Sequence, residues 1–517
     1  MEKIYSALIA IGMGFSLPCF AQDGSLDLSF DTDGKVMASI GTFDDAAKGI
    51  VALDNGKILI AGHSYTANSY DFAVMQFLED GSIDSSFSVY GYTTFGINTN
   101  EDRANCLAVQ PDGKILVGGF TNDGLGDLMM VVRLLPTGEP DLSFGTNAAA
   151  IVPGNPNQRV ESLVLQGDGK IVLTGGSSGS GNNDLIMVRL NADGSLDNTF
   201  STDGIVVTPV SANLDDYGYS VKLQPDGKIL VGGFSFDNTN ANFLIARYNT
   251  DGSLDNTFDG DGIVTAGIFG SFNEYGYALD VQPDGKILLA GYIDNSYYDF
   301  IIIRINSDGN LDLSWGNSGV VYTDWGTVND YGAPVDLIVQ IDGKILVGGY
   351  HSIGSDIYFA LAKYQMDGSL DTTFDADGKV TTDFEGIGDA VGYSLALQQD
   401  GKILLAGAAY NSQNYFAIAR YHNTIGSPVG LAETTTNSSV QSFPNPSNNQ
   451  VHFQFKNPCQ NGELLIYNTN GQLVKHITDI QGSTYLFAKK ELPAGMYSYR
   501  IMNNNSLLSQ GRILLQD

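Results

Sequence analysis

Gly262-Ile-Val-Thr265, Tyr277-Ala-Leu-Asp-Val-Gln282, Lys286-Ile-Leu-Leu-Ala290 and Asp299-Phe-Ile-Ile-Ile-Arg-Ile305 are four short apolar runs in one stretch of chain. β-Branched and aliphatic residues dominate each run, and Pro283-Asp-Gly285, Asp294-Asn-Ser296 and Ser307-Asp-Gly309 punctuate them with turn chemistry. No 3.6-residue period is sustained, so the stretch reads as four β-strands joined by tight turns.

The same unit recurs along the chain. The phrase Asp-Gly-Lys-Ile-Leu, or a close variant, places its glycine at Gly56, Gly113, Gly169, Gly227, Gly285, Gly343 and Gly401, in steps of 57, 56, 58, 58, 58 and 58 residues. A second phrase, Asp-Gly-Ser-Leu-Asp-x-x-Phe in its fullest form, interleaves with it at Gly24, Gly81, Gly138, Gly194, Gly252, Gly309 and Gly368. A unit this small cannot bury its own apolar face and must stack on its neighbours. Four antiparallel strands repeated seven times close into a ring of blades, which removes the open edges of a linear array. The repeat region opens with the last strand of a unit (Leu26 to Ala38) and ends with the first three strands of another (Tyr393 to Tyr421). The expected fold is an all-β, seven-bladed β-propeller whose N-terminal strand completes the final blade.

Two registers read as packing. Three residues after the second-phrase glycine stands an Asp in every copy (Asp27, Asp84, Asp141, Asp197, Asp255, Asp312, Asp371), and six after it an aromatic (Phe30, Phe87, Phe144, Phe200, Phe258, Trp315, Phe374). The aromatics are expected between blades. Arg133, Arg189, Arg247, Arg304 or Lys363 lies five residues before that glycine, with Gln76 as the exception, and predicts an ion pair with the Asp.

Net charge is −32, with 26 Lys+Arg against 58 Asp+Glu, which argues against a protein that grips a phosphate backbone; nucleic acid is not an expected partner. Met1-Glu-Lys3, an apolar run from Ala7 to Phe15, and Leu17-Pro-Cys-Phe-Ala21 read as an export signal ending at Ala21. No later segment approaches the roughly 20 apolar residues of a membrane span, so none is expected in the mature chain. Cys106 and Cys459 then remain, in different domains, and offer no disulfide framework. The expected division is a signal peptide over 1–21, the propeller over 22–426, a Ser/Thr/Asn-rich linker over 427–442 and a small Ig-like β-sandwich over 443–517. The last module carries a charge of +2 against −34 for residues 22–442.

Phe443-Pro444-Asn445-Pro446, Ile466 to Val474 around Gly471, and Leu492-Pro-Ala-Gly495-Met-Tyr497 resemble the C-terminal sorting domain of the Por-type (type IX) secretion system. The 58-residue unit resembles the delta-sixty-type repeat of secreted bacterial proteins. These resemblances imply passage across the inner membrane by the signal, then recognition by the type IX machinery. They make the protein secreted or cell-surface, with Pro444, Asn445, Pro446, Gly471, Gly495 and Tyr497 as sorting-motif residues.

Chemistry is sparse. Five histidines are scattered without zinc-ligand spacing, and Gly175-Gly-Ser-Ser-Gly179 fits G-x-S-x-G without the strand-to-helix turn of a nucleophile elbow. Asp45, Asp102, Asp216 and Glu274 stand 11 residues before the first-phrase glycine, Asp330 and Asp389 stand 13 and 12 before it, and Gln158 interrupts the series. In a closed ring they would converge on one channel mouth and bind a hard cation or a cationic ligand; the alternative is a duplicated acidic turn residue facing water. The D-x-D-G pairs Asp31/Asp33, Asp259/Asp261 and Asp375/Asp377 resemble the start of a calcium loop without its twelfth-position Glu, and tight-turn chemistry is the alternative. Six glutamines (Gln110, Gln166, Gln224, Gln282, Gln340, Gln398) end the first strand and are expected to brace turns. No cofactor is required by this reading, and calcium is the one candidate. The expected function is a non-catalytic propeller that binds an extracellular glycan or protein or serves as a surface scaffold. The alternative is a secreted carbohydrate-active enzyme using carboxylates at the mouth.

Overall fold

A computed structural model describes residues 22–41, 44–66, 69–97, 100–154, 157–178, 181–294, 300–326, 331–384, 388–426, 440–443, 450–467, 473–489, 492, 495–503 and 506–515. No helix occurs among them, and none is long and apolar enough to cross a membrane. The leader expected over 1–21, Asp330, and Pro444, Asn445, Pro446 and Gly471 lie outside the described residues.

Strands are numbered β1 to β33 along the chain. Blade 1 is β2 (Asp45–Ala52), β3 (Ile58–Thr66), β4 (Ser69–Phe77) and β5 (Tyr92–Phe95), paired in that order. Six more four-stranded sheets follow, giving the seven-bladed propeller. The leading strands of blades 2 to 7 are β6 (Asp102–Val109), β10 (Ser162–Leu165), β14 (Asp216–Leu223), β18 (Asn273–Val281), β22 (Gly332–Val339) and β26 (Ala390–Leu397). Each leading strand packs beside the next, and β26 meets β2, so these seven innermost strands close a ring around the axis. Blade 7 takes three strands from the end of the repeat region and its fourth from the beginning. There β1 (Lys35–Ala38) pairs antiparallel with β28 (Asn414–Tyr421), in the register Lys35↔Ala419 to Ala38↔Phe416.

Apolar side chains fill the gaps between blades. The repeated aromatics are 0–2 % exposed, and Phe30, from blade 7, shares a cluster with Ala73, Met75 and Phe77 of blade 1. Burying one such ring contributes roughly 1.5–3 kcal/mol. The second-phrase glycine makes room for it. Gly138 has φ +90°, which L side chains rarely adopt, and a Cβ there would sit 2.8 Å from the Phe87 ring of the preceding repeat.

The expected ion pair forms at the end of the blade where each innermost strand finishes. Arg133, Arg189 and Arg247 place Nε 2.7–2.8 Å from Asp141, Asp197 and Asp255. Lys114, Lys170 and Lys228 reach the same carboxylates at 2.9–3.2 Å. Each guanidinium also crosses to the next repeat, as Arg189 Nη1 donates to the Thr250 carbonyl at 2.6 Å, and lies over the repeated aromatic, Arg189 over Phe200 at 4.3 Å. Burial pushes Asp197 up, but hydrogen bonds from Thr199, Lys170 and Arg189 outweigh it and hold the carboxyl well below the usual range.

In the C-terminal module, β29 (Val440–Phe443) starts three residues before the expected boundary at 443. The first half of β30 (Gln450–Tyr467) pairs with β29 and with the end of β31 (Leu473–Ala488). Its second half pairs with β32 (Gly495–Asn503) and with the start of β31. With β33 (Ser506–Leu515) on β32, one hydrogen-bonded set of five strands carries the module around a core that includes Val451, Ile466, Tyr497 and Ile513. Of the sorting-motif residues, Gly495 begins β32 and Tyr497 is 1 % exposed within that core.

Candidate functional site

The acids expected to ring a mouth occupy a narrower register than their spacing suggested. Asp45, Asp102, Asp216 and Glu274 pair across to Ser64, Thr121, Ser235 and Ile293 at matching ladder positions; in blades 6 and 7 that position belongs to Gly332 and Ala390. Asp389 is one residue out of register and Asp330 two. Asp389 is exposed and accepts from the Ile357 amide of blade 6 at 3.1 Å, as Asp44 accepts from Asn414 and Asp215 from Asn183. These outer acids clip neighbouring blades together.

The four in-register acids are 0 % exposed and face their own loops rather than an open mouth. Asp45 accepts from the Ile40 amide, Asp102 from Ile97, Asp216 from Val210 and Ser211, and Glu274 from Ile268 and Phe269. Each carboxylate therefore fastens the loop arriving from the preceding outer strand to the start of an innermost strand. Burial, only partly offset by the Ser64 and Ile40 bonds, raises Asp45 to about 6.

The D-x-D-G residues make turns. Asp31, Asp259 and Asp375 adopt φ of 46–49°, and their amides donate to Asp80, Asp308 and Asp23 carbonyls of the adjoining repeat. Asp33, Asp261 and Asp377 accept from amides two residues on. Among the described residues no group of three or more His, Cys, Asp or Glu is gathered closely enough to hold a metal ion. Ser177 of the G-x-S-x-G match is buried in a strand, where its hydroxyl accepts from Gln158 at 2.8 Å.

The residues that do face the axis escaped the sequence reading. A β-bulge interrupts the innermost strand three residues after the acid register, between Ala47/Gly49, Ala104/Cys106, Gly218/Ser220, Gly276/Ala278, Pro334/Asp336 and Gly392/Ser394. A bulge leaves its extra residue unpaired and re-aims it. With Glu161 at the same position in blade 3, the series is Lys48, Asn105, Glu161, Tyr219, Tyr277, Val335 and Tyr393, all half-buried. Tyr stands there in three copies and a different residue in each of the other four. Aligning the copies eight residues before the first-phrase glycine would have exposed it.

Two halves of this mouth differ. Blades 4 and 5 present an aromatic wall: Tyr219 meets Tyr277 edge-on at 4.8 Å and stacks on Phe234 at 5.6 Å, and Tyr277 stacks on Tyr292 at 5.8 Å. Phe234 meets Tyr275 at 4.8 Å and Tyr217 at 5.2 Å, and Tyr217 accepts a hydrogen bond from Asn183. Beside the wall a cleft of about 310 Å³ is lined by Gly181, Asn182, Asn213, Leu214, Asp215 and Phe236. Blades 1 to 3 are polar. Asn105 Nδ2 donates to Glu161 Oε2 at 3.2 Å, Lys48 Nζ lies 3.2 Å over the Tyr393 ring, and Arg103 and Arg159 are held by Glu101 and Asp127. Below them Lys222 faces Asp280 at 3.7 Å, while Asp280 and Asp336 accept amides of the next blades from Val339 and Leu395.

A family model described as a domain of unknown function (DUF5122) β-propeller matches residues 53–87, 110–144, 166–200, 224–258, 282–314, 340–374 and 398–424. The chain belongs to the DUF5122 β-propeller family. Residues 441–516 match the secretion system C-terminal sorting domain, which marks this DUF5122 protein for secretion or cell-surface attachment through the type IX machinery. Every residue of the bulge series falls outside the DUF5122 matches, Lys48 just before the first and the other six between them. No curated protein matches the sequence. Among solved structures the chain is similar to the polysaccharide lyase Uly1 (11 % identity, TM-score 0.44, covering 73 % of this chain and 90 % of that one). It is also similar to Sqt1 from Chaetomium thermophilum (10 %, 0.37, 75 % and 100 %) and to a gluconolactonase from Xanthomonas campestris (12 %, 0.32, 75 % and 95 %). None of these likenesses carries a functional inference.

Proposed function

We propose that this exported DUF5122 protein is a non-catalytic binding propeller that holds an extracellular glycan at the channel mouth. The observation that carries the reading is the broken symmetry of the bulge series, which gives blades 4 and 5 the Tyr219/Tyr277 wall and blades 1 to 3 the polar Lys48, Asn105 and Glu161. Aromatic faces accept the C–H face of a sugar ring, and an ammonium, an amide and a carboxylate together supply donors and acceptors for its hydroxyls. The carboxylates expected of a glycosidase pair, Asp45, Asp102, Asp216 and Glu274, are committed to loop amides, which favours binding over hydrolysis. The mature chain on a glycan array is expected to retain a defined set of saccharides, and Tyr219→Ala and Tyr277→Ala should each weaken retention about tenfold or more. Release of reducing ends from the bound saccharides, or tyrosine variants that bind like the parent, would overturn the proposal.

A further inference from the structure

Cations are scarce in the propeller, and most are already spoken for. Residues 22–442 hold 19 Lys and Arg against 53 acids. The seven first-phrase lysines lie 2.5–3.2 Å from the repeated aspartates. Arg133, Arg189, Arg247, Arg304, Lys363 and Arg420 join the same carboxylates from the neighbouring strand. Lys35 and Lys379 donate to the Asp383 and Asp324 carbonyls. The remaining four, Lys48, Arg103, Arg159 and Lys222, all stand on the innermost strands or the residues leading into them, in blades 1 to 4.

Three of the four have a carboxylate partner: Glu101 at 3.2 Å, Asp127 at 2.5 Å and Asp280 at 3.7 Å. Lys48 is different. Among the described residues no carboxylate oxygen lies within 4 Å of its ammonium, which rests on the Tyr393 ring, while Glu161, its nearest acidic neighbour on the ring, is taken up by Asn105. Burial lowers Lys48 to about 8, against an opposing pull from Glu161 and with a push in the same direction from Arg103. A half-buried ammonium whose one attracting carboxylate, Glu161, is not in contact with it is under-compensated, and a ligand anion in direct contact would complete it.

We infer that the saccharide accepted at this mouth is anionic, its ring laid on the Tyr219/Tyr277 wall and its carboxylate or sulfate ester paired with Lys48. The inference rests on the glycan reading above and names the class of glycan. Lys48 is protonated below about pH 8, so the anionic preference is present at pH 7 and fades as pH rises to 9. The charged or titratable groups around Lys48 are Glu161, Arg103, His63 and Tyr393.

The test is titration calorimetry of the mature full-length chain with an oligogalacturonate, a sulfated oligosaccharide, a neutral oligosaccharide of equal length and an oligo-aspartate. At least one anionic saccharide is expected to bind about tenfold tighter than the neutral one at pH 7. Lys48→Met should erase that preference while Lys48→Arg keeps it, both with unchanged thermal midpoints, and Tyr277→Ala should weaken all saccharides. Oligogalacturonate against the sulfated ligand tells which anionic group is read. Equal binding of neutral and anionic saccharides, or a Lys48→Met variant that keeps the preference, overturns this inference and leaves the glycan reading standing. Absence of any saccharide binding overturns both, and tight binding of oligo-aspartate alone shows that the anion is peptidic and overturns both as well.

Discussion

The two ends of the blades are built on opposite rules. Where each innermost strand finishes, every blade repeats one device: an aspartate capped by its own Ser or Thr loop, gripped by a lysine from one turn and, in six of the seven blades, by a second cation from the neighbouring strand. Where the strand starts, six blades repeat a backbone bulge while the side chain at that position varies around the ring, from Lys48, Asn105 and Glu161 to Tyr219 and Tyr277. The matched family segments cover the first end and leave out the bulge series of the second. Holding a ring together demands one solution seven times, because each interface is equivalent. Gripping an asymmetric molecule demands that the copies differ. The contrast predicts that the repeated end governs stability and the variable end governs binding.

The strongest way to break the contrast is to remove one repeated carboxylate. Asp197→Ala leaves Arg189, with a side chain 7 % exposed, without its counter-charge, and Lys170 with only the exposed Asp168 carboxylate at 3.8 Å. Breaking a buried pair on one side costs about 3–5 kcal/mol. A clear drop in the thermal midpoint is expected, with the mouth intact and saccharide binding to folded protein unchanged. If stability barely moved, the pair would be a passenger of the repeat. At the other end, Tyr219→Ala removes a half-buried ring from the wall and should lower stability by no more than about 2 kcal/mol, read in the same melting experiment. A larger loss would make the wall part of the core.

The acid register supplies a smaller effect with a defined sign. Asp45 has its folded pKa raised to about 6 from 3.8, so between those values the folded state holds a proton that the unfolded state releases. Stability from this group therefore falls as pH rises from about 4 to 6 and is flat on either side. Asp45→Asn keeps an acceptor for the Ile40 amide and should flatten that part of the pH profile in chemical unfolding. The repeated aspartates run the other way. Asp197 is held below its usual range, so its contribution is present above the unfolded pKa and is lost as pH falls further into the acid. An Asp45→Asn profile as steep as the parent's would show that the buried carboxylate is ionised throughout.

What the sequence made legible follows the same division. Period, strand count and the division of blade 7 between chain ends could be read from identical phrases, and the Arg189–Asp197 pair from two registers that face each other across a hairpin. The acid ring was misread for a physical reason. Allowing offsets of 11 to 13 admitted Asp330 and Asp389, whereas the ladder fixes the offset and hands the position to Gly332 and Ala390. That Asp45 faces inward depends on loop amides curling back from Ile40, which no spacing rule displays. The mouth stayed hidden because a search for repeats attends to what recurs, and Lys48, Asn105 and Glu161 do not.

Blade 1 offers the smallest and sharpest test, because nature has left its device incomplete. Gln76 stands where the other blades carry Arg or Lys, and Asp84 is gripped by Lys57 alone, Nζ to Oδ2 at 2.5 Å. The scaffold around it is otherwise the same: Phe87 is 2 % exposed in the aromatic register, and Pro136 occupies the place of Ala192 and Thr250, whose carbonyls accept from Arg133 and Arg189. Gln76→Arg should therefore find a carboxylate, an aromatic face and a carbonyl already in position. The added pair and cation–π contact are expected to stabilise by about 1 kcal/mol, raising the thermal midpoint by a few degrees at most. Saccharide binding should not change, since the site is at the far end of the blade. A lower midpoint would mean that the desolvation of a second cation beside Lys57 outweighs its contacts, and that equivalence between blades stops at the backbone.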